Sequence, residues 1–99
     1  MYGLIAKMTL HSGKREEVIA LLAESSANMP GCFSYVIAKD AASEDILWVT
    51  EVWESKAAHD ASLNLRAVQA VIPRVKPLVA VFERVAETDP VAGLPFAHE

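Results

Sequence analysis

The chain has 99 residues, 53% of them hydrophobic, with a mean hydropathy of +0.24 and a formal net charge of −4 at pH 7. This length provides one domain with one core, and the apolar content is high for so small a domain, which indicates that part of its surface contacts another subunit. The nine scattered basic residues argue against a nucleic-acid partner, the apolar run at residues 2–6 is too short to cross a membrane, and a single cysteine, Cys32, excludes an intrachain disulfide and a thiolate metal site. We therefore expect a cytoplasmic protein without nucleic-acid or membrane partners.

The N-terminal third predicts a strand followed by a helix. Residues 2–10 alternate between two sides of a strand, and both sides are largely apolar. From Ser12, the predicted N-cap, the period changes to that of a helix. Pro30 and Gly31 end this helix. Its predicted buried face consists of Val18, Leu21, Leu22 and Ser25.

The remaining elements follow in the order strand, strand, helix, strand. Residues 32–39 and 46–53 predict an antiparallel hairpin, because two short β-prone runs flank a polar turn. Residues 54–76 have a helical period with a break near residues 62–64; Ser55 is the predicted cap, and Pro73 and Pro77 close the helix. Residues 77–85 predict the fourth strand. We expect a domain over residues 1–87 and an extended C-terminal arm over residues 88–99.

This order, β-α-β-β-α-β, is typical of a ferredoxin-like α+β fold with a four-stranded antiparallel sheet. Such a sheet normally has one polar, solvated face, but here both faces are apolar. In the third strand the two sides carry Ile46, Trp48, Thr50 and Val52 against Leu47, Val49, Glu51 and Trp53. In the fourth they carry Leu78, Ala80 and Phe82 against Val79, Val81 and Val85. Since two helices cover only one face, we predict a homodimer that packs sheet against sheet as a dimeric α+β barrel.

The stretch EVWESKAAHDASL, residues 51–63, gathers the groups suited to acid–base chemistry. If Glu51 faces the helices, burial raises its pKa and makes it a proton acceptor for a phenol. Trp53 on the same side either walls a pocket for an aromatic ligand or only fills the core. An imidazole is suited to acid–base chemistry, and His59 is either a base above Trp53 or a solvent-facing helix residue. The alternative partners for Glu51, as an ion pair, are Lys7, Arg66 and Arg74.

The second strand supplies further candidates for substrate contact. Tyr35 is either a substrate hydrogen-bond donor or a core tyrosine with its hydroxyl at the rim, and Phe33 lies on the same strand. The three histidines have no metal-ligand spacing, and neither a CxxC pair nor a phosphate-binding loop is present. We therefore expect neither a metal nor a cofactor, so that the substrate itself supplies the electrons for any reaction with O2.

The element order and three short motifs resemble the antibiotic biosynthesis monooxygenase family. The motifs are PGCxxY at the start of the second strand, EVW at the end of the third and HDASL in the following helix, and the likeness extends from Tyr2 to about Val85. The resemblance implies a dimeric α+β barrel. It is compatible with several activities, because the family includes metal- and flavin-free quinol and polyketide monooxygenases, haem-degrading enzymes and an isomerase of a signalling sugar.

By position, the resemblance implies that Trp53 and His59 contribute to the site. Val49 stands where the monooxygenases have an asparagine, and Ser62 where quinol-oxidising relatives have a histidine, so both are candidate substrate contacts. The alternative for Ser62 is that it shapes the helix break. The haem-degrading branch has an asparagine on the first strand, near Ala6 or Lys7, and a histidine late in the last helix, which this chain lacks.

We expect a cofactor-independent monooxygenase that oxidises a small aromatic, quinol-like substrate with O2. Its catalytic residues would be His59, Glu51 and Trp53. Its substrate-binding residues would be Tyr35, Phe33, Ser62 and Val49. The alternatives are a non-catalytic small-molecule binding module with the same dimeric barrel fold, and an isomerase or lyase of a small oxygenated metabolite.

Overall fold

The computed structural model describes residues 1–94. Its strands are β1 (Tyr2–Leu10), β2 (Cys32–Lys39), β3 (Ile46–Trp53) and β4 (Val79–Thr88). Its helices are α1 (Arg15–Ser25), α2 (Lys56–Ser62) and α3 (Arg66–Val75), and a 3₁₀ turn, Lys76–Leu78, leads into β4. No helix within the described residues is long and apolar enough to cross a membrane.

The strands form one antiparallel sheet in the order β2-β3-β1-β4. The predicted ferredoxin-like α+β fold is therefore confirmed, with the second predicted helix divided into α2 and α3. The last strand continues to Thr88, three residues beyond its predicted end at Val85, because Thr88 pairs with Gly3 of β1. Of the predicted arm at residues 88–99, the last five residues lie outside the described part of the chain.

The core lies between one face of the sheet and the helices. The even-numbered side of β1 and the side of β3 that contains Leu47 and Val49 are buried, and the predicted buried face of α1 is confirmed. Leu47 and Val49 are at most 1% exposed. A smaller cluster of Tyr2, Leu4 and Trp53 lies toward the other end of the sheet. These alternating apolar side chains fix the register, because a one-residue slip would expose them all.

The predicted helix ends agree with the structure at Ser55 and differ from it at Ser12 and Pro73. Ser55 caps α2 as predicted, since its hydroxyl accepts a hydrogen bond from the backbone N–H of Ala58 at 3.0 Å. Ser12 does not cap α1, which starts later, after Lys14, without a side-chain cap. Pro73 does not close the last helix but lies inside α3. The buried residues on either side of it, Val71 and Val75, anchor the helix against the core, and this packing outweighs one missing backbone hydrogen bond.

Register shifts in β4 change which of its side chains face the helices. The register moves between Thr9, which pairs with Val81, and Leu10, which pairs with Val79, so that Ala80 is an extra residue. As a result, Val79, Ala80 and Phe82 all contribute to the same cavity on the helix side. The prediction that Val79 lies on the opposite face from Phe82 was wrong, because strict alternation does not survive a bulge.

Candidate functional site

A cavity of about 590 Å³ lies between the helices and the inner face of the sheet. Most of its wall is apolar and comes from β1, α3 and β4, with representative residues Met8, Val68, Val71, Ile72, Val79 and Phe82. Its principal polar groups come from β2, β3, α2 and β4, and they are Tyr35, Glu51, His59, Ser62 and Arg84. A mainly apolar volume of this size with a few polar groups is typical of a small-molecule site.

Glu51 is a buried carboxyl on the cavity wall, 9% exposed. It lies in the middle of the sheet, opposite Leu4 of β1 and Tyr35 of β2. Its Oε1 accepts a hydrogen bond of 2.8 Å from the indole Nε1 of Trp53. Burial raises the pKa of Glu51, while the Trp53 hydrogen bond and the charges of His59 and Arg84 act in the opposite direction. The carboxyl is therefore poised to exchange a proton.

The ion pair that was the alternative interpretation of Glu51 is absent from the described residues. Within residues 1–94 no lysine or arginine forms an ion pair with it. Lys7 lies on the opposite face of the sheet, with its Nζ 5.5 Å from the ring centroid of Trp48. The polar contact that Glu51 does have is the Trp53 indole, which is neutral.

His59 is buried rather than solvent-facing, with 6% of its surface exposed. Its ring meets the Trp53 ring edge to face, with centroids 5.5 Å apart, and lies 5.5 Å from the ring of Tyr2. Its Nδ1 lies 3.0 Å from Oδ1 of Asp60. A carboxylate at Nδ1 favours the tautomer that carries its proton there, so that Nε2, which has no partner within residues 1–94, can accept one.

The hydroxyls on the cavity wall differ in their availability. Ser62 donates its proton to the backbone carbonyl of His59 at 2.5 Å, so toward a ligand it can only accept. The hydroxyl of Tyr35 has no hydrogen-bond partner in the described chain, although the side chain lines the cavity. Burial, together with the nearby Glu51 and Cys32, raises the pKa of Tyr35, so the phenol keeps its proton at neutral pH. Of these two hydroxyls, Tyr35 is therefore the one that can donate a hydrogen bond to a ligand.

The remaining predicted site residues lie outside the cavity wall. Trp53, 1% exposed, fills the core behind Glu51 and His59 and contacts both, so it positions the site without lining it. Val49 is buried in the larger core cluster, and Phe33 lies half-buried on β2. Neither is among the residues that line the cavity.

The contribution of β4 to the cavity wall was not predicted from the sequence. Phe82 and Arg84 lie on the helix side of this strand, opposite Met8 and Ala6 of β1, and both line the cavity. Their spacing of two residues was the available signal, since it places them on one face. Within residues 1–94, histidine, cysteine, aspartate and glutamate side chains form no group of three that could hold a metal ion.

Comparison with known proteins identifies a single family. The family model for antibiotic biosynthesis monooxygenases matches residues 1–74. A Chloroflexus aurantiacus J-10-fl protein assigned to these monooxygenases is 48% identical, with a TM-score of 0.90 over 93% of this chain and 94% of its own. A protein from Caulobacter crescentus CB15 with the same assignment is 26% identical, with a TM-score of 0.73 over 91% and 89%.

A more distant likeness extends the comparison of folds. A protein from Nitrosomonas europaea is 15% identical and has a TM-score of 0.82 over 92% of this chain and 99% of its own, which is a likeness of fold alone. No curated protein matches the chain.

Proposed function

The chain belongs to the antibiotic biosynthesis monooxygenase family, and from that premise we propose that it oxidises a small aromatic, quinol-like substrate with O2, without a metal or organic cofactor. The observation that carries the proposal is one apolar cavity of about 590 Å³ whose wall contains a buried carboxyl, a buried imidazole and an unpartnered phenol. These are the groups needed to hold an aromatic alcohol and to remove its proton.

The polar wall can both donate a hydrogen bond to a phenol oxygen and accept one from a phenol hydroxyl. Tyr35 donates to a substrate oxygen, and Ser62 accepts from a substrate hydroxyl. The apolar wall of α3 and β4 packs against the rings. Because a hydroxyl or carboxyl buried without a partner costs about 1–3 kcal/mol, a ligand that satisfies these groups is favoured over a plain hydrocarbon.

The proposed reaction begins with the transfer of a substrate proton to Glu51 or to Nε2 of His59. The resulting anion is electron-rich and reacts with O2 in a cavity that excludes bulk water. For an anthrone, carbon–oxygen bond formation gives a hydroperoxide, and loss of water leaves a carbonyl where a CH2 group stood. One oxygen atom enters the product and the other leaves as water, so the substrate supplies all the electrons.

Pairing of two chains through the outer face of the sheet belongs to this proposal. That face includes Ile5, Trp48 and Val52, which are half-buried, and Val36 and Val81, which are 52% and 48% exposed. Apolar surface left in water forfeits about 25 cal/mol per Å², so a second copy of the same face is a favourable cover. The proposed assembly is the homodimeric α+β barrel.

Sedimentation at micromolar concentration tests the assembly. We expect a mass of two chains of 10.7 kDa. Val81→Lys should shift the equilibrium toward the monomer, because it places a charge on the outer face. Ala42→Lys, in the exposed turn between β2 and β3, should leave it unchanged. A stable monomer of the unaltered chain would contradict the homodimer.

Oxygen uptake with a panel of naphthohydroquinones and anthrones tests the activity. We expect the protein to accelerate uptake, and the variant that removes the base, Glu51→Gln or His59→Ala, to reduce the rate about 100-fold or more, the usual contribution of a general base. Matched controls are Glu54→Gln and His11→Ala, since both residues are exposed and neither lines the cavity. No acceleration with any member of the panel, or rates unaffected by both site variants, would refute the monooxygenase.

The second candidate is a non-catalytic module that binds the same kind of ligand. The observation that favours it is Val49, an apolar core residue at the position where the resemblance implies an asparagine. Tight, saturable binding of aromatic alcohols without O2 consumption or product would support this candidate. Product formation without O2 consumption would instead indicate an isomerase or lyase.

A further inference from the structure

We infer that the cavity selects aromatic substrates that carry an anionic group, and that Arg84 binds this group. The inference rests on the proposed function for the other end of the substrate and adds the chemical class of the ligand. Arg84 lies on the edge strand β4 and lines the cavity, with 46% of its side chain exposed. It follows Phe82 by two residues on the same wall, so its aliphatic stem can lie along the apolar surface that would hold the rings.

The guanidinium of Arg84 lacks a hydrogen-bond partner within residues 1–94. Its one ion pair is with Glu87, at 3.9 Å between Nη1 and Oε2, which is beyond hydrogen-bond distance. That same Oε2 already accepts a hydrogen bond of 2.6 Å from the hydroxyl of Tyr2. The guanidinium therefore presents its planar set of N–H donors, the arrangement that binds a carboxylate through two parallel hydrogen bonds.

The charges on the cavity wall favour an anion at this side. Besides Arg84, the wall contains Lys76, whose amino group has no ion pair within residues 1–94. Among residues 1–94 the wall contains one carboxyl, Glu51, which interacts with the Arg84 charge but forms no ion pair with it. A ligand carboxylate next to Arg84 would meet a cation with unfilled donors on a mainly apolar wall.

The distance between the two polar ends defines the ligand further. Glu51 is on β3 and Arg84 is on β4, and these strands flank β1 on either side. Neighbouring strands are about 4.8 Å apart, so the two backbones lie roughly 10 Å from each other. A fused aromatic ring system with a hydroxyl at one end and a carboxylate at the other spans such a gap, with the hydroxyl near Glu51, His59 and Tyr35.

Equilibrium binding without oxygen tests this inference. The probes are a hydroxynaphthoate whose hydroxyl and carboxylate lie at opposite ends of the rings, and its methyl ester, which has the same shape but no charge. We expect the unaltered protein to bind the carboxylate at least about tenfold more tightly than the ester, since charge-assisted hydrogen bonds are stronger than those between neutral groups. Added salt should reduce this preference.

Arg84→Gln should abolish the preference and leave the affinity for the ester unchanged, and the ester therefore also reports that the variant is folded. Arg84→Lys should keep part of the preference, since it keeps the charge without the planar fork. Arg74→Gln, on the exposed side of α3 and outside the cavity wall, should behave like the unaltered protein. Equal affinities for both probes, or an unchanged preference in Arg84→Gln, would overturn the inference. Because no oxygen is consumed, this result is independent of whether the proposed oxygenation occurs.

Discussion

The hydrogen bond between Trp53 and Glu51 leads to a prediction about how stability depends on pH. The substitution Trp53→Phe keeps an aromatic ring in a position that is 1% exposed and removes the N–H that the carboxyl accepts at 2.8 Å. Two consequences are expected. The smaller ring leaves part of the indole volume empty at every pH. The carboxyl also loses its hydrogen bond, and the free-energy cost of that loss depends on whether the carboxyl is charged.

The magnitudes follow from the burial of both residues. Full truncation of a buried aromatic residue destabilises by about 3–5 kcal/mol, so we expect about 1–2 kcal/mol for the lost part of the ring. A hydrogen bond to a charged group contributes about 1.5–3 kcal/mol, and one between neutral groups about 0.5–1.5 kcal/mol. The variant should therefore be less stable by about 2.5–5 kcal/mol when Glu51 is ionised, and by about 1.5–3.5 kcal/mol when it is protonated.

The direction with pH is set by the raised pKa of Glu51. Between the unfolded and the folded pKa the native state holds the proton more tightly than the unfolded chain does. The stability that this provides is fully present at low pH and is lost as pH rises through the folded pKa. Removing the Trp53 hydrogen bond raises that pKa further, so the variant loses more stability on the way up and its difference from the unaltered protein widens.

Urea denaturation from about pH 5 to about pH 8 measures this difference. The matched control is Trp48→Phe, because Trp48 donates a hydrogen bond of the same 2.8 Å length to Asp40. Its partner is only half-buried, and hydrogen bonds from Trp48 and from the backbone lower the pKa of Asp40, so that carboxylate stays ionised across the range. The control difference should be constant with pH. A constant difference for Trp53→Phe as well would refute the account of Glu51.

Three further predictions concern stability. Glu51→Gln removes the group that titrates, so the variant does not lose stability as Glu51 ionises. The free energy of unfolding of the variant minus that of the unaltered protein should therefore rise from about pH 5 to about pH 8 in the same urea experiment. A difference that is constant with pH would argue against a raised pKa. Ser55→Ala should lower the free energy of unfolding by about 1 kcal/mol through loss of the α2 cap, whereas Ser12→Ala should change it by less than about 0.5 kcal/mol; equal losses would contradict the assigned caps. Gly3→Ala places a methyl group against Thr88 and should lower the melting temperature by an amount equivalent to about 1–3 kcal/mol. Adding Thr88→Ala should restore part of this loss. A Gly3→Ala variant with an unchanged melting temperature would mean that β1 and β4 are not closely packed at this point.

The strongly patterned parts of the chain were predictable from the sequence. The alternation in β3 placed Glu51 and Trp53 on one face of the strand, although it did not decide which face meets the helices. The helical period after Ser55 placed His59 within reach of Trp53, with a solvent-facing position as the alternative. The break before α3 was also visible, because Ser62 and Asn64 interrupt the helical pattern. These features depend on neighbours within about ten residues, which is the range over which periodicity carries information.

The β4 wall was predictable only in part, because the spacing of Phe82 and Arg84 places them on one face but tertiary register decides which face lines the cavity. The extra residue Ala80 interrupts the alternation, so face assignments made upstream of it fail. Arg84 reaches the cavity only because β4 pairs with β1, a contact between residues far apart in sequence. Pro73 shows the same limit for helices, since packing of Val71 and Val75 outweighs a local signal that normally stops a helix.

Because the second predicted helix is divided into α2 and α3, the polar and the apolar parts of the cavity wall that it supplies belong to two separate helices. α2 packs against β3 and contains His59, while α3 packs against α1 and contains Val68 and Ile72. Exchanging aliphatic residues for larger or smaller ones along α3 would reshape the cavity and leave Glu51 and His59 in place. Sequences that share this fold can therefore differ in the shape of the cavity through a few side chains, while the polar wall from β3 and α2 stays the same.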